Sequence, residues 1–92
     1  MRERVIEQKL RTEVTEQLGG ECVKLDAGGG WPDRLVVLPG EVVFVETKKP
    51  SGGVVSAEQV ANHNKLARLG YPVEILSTMK AVAEFIKERK QP

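Results

Sequence analysis

The sequence has a single cysteine, Cys22, in 92 residues. No internal disulfide can form, so a reducing compartment is the simplest expectation and a small buried hydrophobe the plain reading of that residue. No apolar run approaches the ~20 residues that a membrane-spanning helix needs. The opening stretch MRERVIEQKLRTE is charged throughout and does not read as a secretion signal. A cytoplasmic protein with no membrane partner is therefore expected. Excess charge is missing as well: 14 Lys and Arg face 13 Asp and Glu, a formal net charge of +1. Any nucleic-acid surface must then concentrate its basic residues locally. There are no repeats, low-complexity tracts or long linkers. The length suits one domain spanning 1–92, and so short a chain buries little core, which makes a homodimer the expected assembly.

What remains is well patterned. Ile6, Leu10, Val14 and Leu18 recur every four residues and predict a helix from Arg2 to Leu18, stopped by Gly19 and Gly20. ECVKLD reads as a short strand and AGGGWPD as a glycine-rich loop. RLVVL and EVVFVETK, joined by Pro39-Gly40, read as a hairpin. PSGGVV is expected to be a mobile loop. Ser56 caps a second helix running to about Leu69, PVEIL alternates as a strand, and Ser77 or Thr78 caps a last helix with Met79, Val82, Phe85 and Ile86 facing inward. The order α-β-β-β-α-β-α predicts an α/β fold with helices flanking a small mixed sheet.

Several acids sit where a core margin is expected. Helical winding puts Glu3 and Glu7 on the face of Leu10, Val14 and Leu18, whereas Glu16 falls on the wet side. The helix dipole alone explains Glu3, and pairing with Arg11 four residues on would explain Glu7. Asp33 opens one hairpin arm and Glu46 closes the antiparallel arm, so the two project at the same end as near neighbours. Carboxylates that close repel unless a proton or a cation lies between them. Oxygen ligands at a sheet edge suit a hard ion such as Mg2+ or Mn2+. Lys48 shares strand parity with Glu46 and lies beside the acid pair, able to neutralise it or to orient a water. A solvent-exposed salt bridge at a strand end is the simpler account of Glu46 and Lys48.

Pro-Asp, a hairpin, then Glu-x-Lys resembles the PD-(D/E)xK nuclease superfamily, and in particular its VRR-NUC (virus-type replication-repair nuclease) domain. The matching stretches are GGGWPD (Gly28 to Asp33), VETKKPSGG (Val45 to Gly53), SAEQ (Ser56 to Gln59) and LGYPVEIL (Leu69 to Leu76), so the resemblance spans essentially the whole chain. It implies a restriction-endonuclease-like αβββαβ core. It also implies that Asp33 and Glu46 are metal ligands joined by the main-chain carbonyl of Thr47, which contributes only that carbonyl. Lys48 would be the catalytic lysine, Glu7 (or Glu3) the helix acid completing the site, and Gln59 the glutamine of the following helix. Stand-alone members, mostly from phages, resemble Holliday-junction resolvases and work as homodimers. The resemblance thus implies a divalent-metal-dependent endonuclease of branched DNA. A DNA-binding module with a vestigial metal site, or a non-specific duplex nuclease, are its rivals.

The remaining candidates have two readings each. Ser56 and Gln59 form a capping box, which competes with a catalytic role for Gln59. His63 reads as a packed core-edge histidine. Lys24, Arg34 and Lys49 flank the acids and could hold DNA phosphates or stand as solvated charges. Trp31 reads as a hydrophobic lid or as a wedge at a branch point.

Overall fold

The structure is a computed structural model that describes residues 2–49 and 53–90. The chain runs α1 (Glu3–Leu18), β1 (Glu21–Lys24), β2 (Arg34–Leu38), β3 (Glu41–Thr47), α2 (Ala57–Arg68), β4 (Glu74–Leu76) and α3 (Met79–Arg89). The strands lie in the order β1-β2-β3-β4, antiparallel except for the parallel pair β3 and β4. This is the small mixed sheet of the expected α/β fold. The expected loop 50–55 lies partly outside the described residues.

Local chemistry accounts for the elements. In α1 the four-residue spacing buries Ile6, Leu10 and Val14 completely. Gly19 ends the helix in the left-handed region at φ 65°, which costs a glycine little, and Gly20 N–H donates to the Val14 carbonyl. Ser56 and Gln59 form a complete capping box on α2, and the Thr78 hydroxyl accepts from Ala81 N–H to start α3.

Strand register separates two faces. Cys22, Val36 and Val43 align on one face, together with Arg34 and Val45. Helices α1 and α3 cover this face, and Val36, Val43, Val45 and Leu76 join Ile6, Leu10, Val14, Val82, Phe85 and Ile86 in one core. The opposite face carries Val23, Leu35, Val37, Val42, Phe44 and Ile75. Of these, Val23, Val37, Val42 and Ile75 remain 37–44% exposed. Tyr71 stands edge-on to Phe44 on the same side.

Helix α2 sits at one end of the sheet. Its Asn62 amide donates to the Gly29 carbonyl, and its His63 lies against Glu46 of β3. The glycine loop, the start of β2, the end of β3 and the first turns of α1 all meet there.

Candidate active site

The strand pairing delivers the first part of the site. Arg34 pairs with Val45, so Asp33 and Glu46 are the next opposed positions of the same ladder. Asp33 is fixed by Thr47: its Oδ1 accepts the Thr47 N–H at 3.0 Å and its Oδ2 accepts the Thr47 hydroxyl at 2.7 Å. Glu7 reaches the same hydroxyl at 3.2 Å and accepts from the Arg34 guanidinium at 3.0 Å. A hydroxyl has one proton to give. Shared between two carboxylates, it satisfies the nearer, Asp33, and leaves the Glu7 oxygen short of a positive partner.

Helix α1 supplies a second acid. Carboxylate oxygens of Glu3, Glu7 and Asp33 all lie within 4.8 Å of one another. Ligands on opposite sides of an ion held at ~2.1–2.6 Å stand about 4–5 Å apart, so the spacing suits Mg2+, Mn2+ or Ca2+. Burial pushes the Glu3 carboxyl up, and its neighbours Glu7 and Asp33 add to the effect.

Glu46 is placed differently. It is 4% exposed, belongs outside the Glu3–Glu7–Asp33 trio, and faces Lys48 Nζ at 3.9 Å and His63 Nε2 at 3.6 Å. The His63 separation is too long for a hydrogen bond. Both Oε1 of Glu46 and Nε2 of His63 are buried without a hydrogen-bond partner. Burial first and then the charge of Asp33 lift the Glu46 carboxyl to about 7, against the opposing pull of Lys48. Burial and the Lys48 ammonium push His63 down, so at neutral pH it faces Glu46 as a neutral imidazole. A buried carboxylate oxygen with no donor, in the field of Asp33 and Glu3, is the donor a hard cation would satisfy.

Two expectations need correction. Arg34 does not offer its charge to solvent. It shares the face of Val36, is 7% exposed and pairs with Glu7, because β2 alternation turns it toward α1. For the same reason Glu7 pairs with Arg34 instead of Arg11. Thr47 contributes more than a carbonyl: its fully buried side chain organises both Asp33 and Glu7. Strand parity, which sets Thr47 with Val43 and Val45 and opposite to Glu46, held both signals. Gln59 makes the capping box, its side-chain oxygen accepting from Ser56 N–H at 2.9 Å. Lys24 and Lys49 are exposed at the margins, and a Lys49 main-chain hydrogen bond favours the charged form of Glu3.

No protein-family model matches the chain. A phage protein described as "Putative nuclease p44", from Acyrthosiphon pisum secondary endosymbiont phage 1, is 41% identical over 81 residues, with 85% of each chain covered. A solved structure described as "VRR_NUC domain" superposes with a TM-score of 0.83 at 32% identity, covering 92% of this chain and 94% of that one. Both likenesses cover most of the chain. The chain therefore belongs to the VRR_NUC family: it is a nuclease, an enzyme that hydrolyses phosphodiester bonds.

Proposed function

We propose that this nuclease is a divalent-metal-dependent endodeoxyribonuclease, selective for branched DNA such as Holliday junctions and active as a homodimer. The reading treats 1–92 as one nuclease domain working in the cytoplasm of a host cell. The observation that carries it is the cluster of Glu3, Glu7 and Asp33, with the buried Glu46 in the field of Asp33 and Glu3 and facing the Lys48 ammonium. Four carboxylates against two cationic side chains, Lys48 and the Arg34 that pairs with Glu7, leave a negative excess that a cation relieves.

Mg2+ or Mn2+ would be held by Asp33, Glu46 and the Thr47 carbonyl, with Glu7 and Glu3 bound directly or through water. When bound there, such an ion would supply Lewis-acid chemistry, polarising a phosphoryl oxygen and lowering the pKa of a water. The protein's own groups do the rest. Lys48, 17% exposed at its side chain, orients the attacking water and offsets the charge gathering on the phosphorus oxygens. Thr47 holds Asp33 in place and Arg34 holds Glu7. Gln59 spends its oxygen on the helix cap, and its amide hydrogens are free to meet a water or phosphate. Lys24 and Lys49 take backbone phosphates at the margin.

The apolar outer face of the sheet supports a dimer, since a twofold pair would bury it and give two cuts related by symmetry. End-labelled junction, flap, nicked and linear DNAs, each with Mg2+, Mn2+ or EDTA, test the reading. Metal-dependent cutting concentrated on the junction is expected. Equal cutting of linear duplex would leave a non-specific nuclease, and binding without cutting in every metal would leave a binding module.

A further inference from the structure

Few aromatic side chains occur in this chain, and its one tryptophan, Trp31, stands 40% exposed. It is not a lid on the core. It lies two residues before Asp33 in a loop held by its neighbours. Pro32 beside it is fully buried. Gly28, Gly29 and Gly30 take φ of 65°, 57° and 79°, three left-handed residues in succession, which a chain of side-chain-bearing residues would adopt only under strain. A Cβ on Gly30 would come within 2.8 Å of the Glu58 backbone, so the loop lies directly on α2. The Asn62 side chain, 6% exposed, then ties Gly29 to the same helix. The loop is therefore held against α2 at Gly29 and Gly30 and anchored by the buried Pro32 on the other side of Trp31, so the backbone that carries the indole has little freedom left to lose on binding.

One charge faces the ring. Lys65 Nζ of α2 stands 6.0 Å from its centroid, at the outer limit of a cation–π contact. At that distance the ammonium gains little from the indole and remains available to a phosphate. An exposed, rigid indole with a cation beside it has the composition of a stacking platform for single-stranded nucleic acid: the base lies on the ring and the backbone meets the lysine.

We propose that Trp31 and Lys65 form a binding site for one unstacked nucleobase of the DNA substrate, next to the carboxylate cluster. The site rests on the nuclease reading and deepens it. It favours DNA that offers an unpaired base near the cut, at a branch, flap or frayed end, over continuous duplex, in which every base is stacked on its neighbours.

Because Trp31 is the sole tryptophan, its emission reports on this site alone. The native chain is titrated in EDTA, where no cutting intervenes, with an oligonucleotide bearing a thymidine overhang and with a blunt duplex of the same paired sequence. Strong quenching by the overhang and little by the blunt duplex is expected. By anisotropy of labelled DNA, Trp31→Ala should weaken overhang binding about tenfold, the scale of one lost base stack, while Trp31→Phe stays within about threefold of wild type. Lys65→Ala should lose less than Trp31→Ala and reduce the salt dependence of binding. Circular dichroism establishes that the variants are folded. Equal quenching by both DNAs, no quenching, or an unchanged overhang preference in Trp31→Ala would overturn the site. Absence of cleavage in Mg2+ and Mn2+ with the overhang preference intact would instead remove the nuclease mechanism and leave the platform standing.

Discussion

A single buried oxygen, Oε1 of Glu46, condenses the chemistry of the site at the residue scale. It has no donor, and its carboxyl is raised from the ordinary 4.5 to about 7, by burial first and then by Asp33. Below pH 4.5 the folded and unfolded chains both hold this proton. Between 4.5 and about 7 only the folded chain keeps it, so this group's contribution to stability falls as pH rises and is gone above 7. A rise of that size corresponds to about 3 kcal/mol. Metal-free protein should therefore melt lower at pH 8 than at pH 6, Glu46→Gln should flatten the dependence, and Mn2+ should restore the melting temperature at pH 8 but hardly at pH 5. Thermal melts in EDTA and in Mn2+ check all three. Thr47 makes a second prediction. Thr47→Val keeps the shape but removes the hydroxyl shared by Asp33 and Glu7. A lost supporting hydrogen bond of this kind costs about 10- to 100-fold in metal affinity. The Mn2+ concentration for half-maximal cleavage should rise accordingly, with the rate at saturation much less affected. An unchanged requirement would mean that the hydroxyl does not position the acids.

The elements were the most legible part of the sequence, because each is written in local chemistry. The α1 stripe, the Pro39-Gly40 turn and the Ser56 cap all appear where spacing and turn residues place them. The ends were less legible: β1 stops at Lys24 instead of Asp26, and β4 keeps only Glu74 to Leu76 of PVEIL, since ladder pairing and not side-chain pattern ends a short strand. For the candidate site, Asp33, Glu46 and Lys48 could be brought together from the hairpin alone. The Arg34–Glu7 pair and the double duty of Thr47 could not, because they join residues 27 and 40 apart in sequence across the helix-sheet interface. Alternation does predict which face each occupies, but not which partner waits there. The cap itself is testable. Ser56→Ala removes the hydroxyl that accepts from Gln59 N–H and should cost about 1 kcal/mol, or about 4–8 °C in melting temperature for a domain of this size. Calorimetry checks it, and a shift below 1 °C would show that packing and not the cap fixes the start of α2.

At the scale of the whole molecule, one sheet face is fully furnished and the other is not. Helices α1 and α3 seal the first, while Val23, Val37, Val42 and Ile75 stay exposed on the second. Stable dimers bury about 800 Å² per partner, roughly a seventh of the 5838 Å² surface of this chain, and the outer face is the apolar area that could supply it. Val42→Glu at its centre should turn a dimer into a monomer by analytical ultracentrifugation and abolish paired cuts on a junction, with each chain still folded. A monomeric wild-type chain at micromolar concentration would remove the symmetric account of cutting.

The central claim is that acids from α1, the entry to β2 and the end of β3 share one cation that the reaction needs. Cleavage of an end-labelled four-way junction in Mg2+ under single-turnover conditions, wild type against Asp33→Asn, tests it most directly. The account predicts cutting by wild type that EDTA abolishes, and a rate at least about a hundredfold lower in the variant, the scale of losing one charge-stabilising group. Wild-type cutting that survives EDTA, or Asp33→Asn cutting at the wild-type rate, would contradict it.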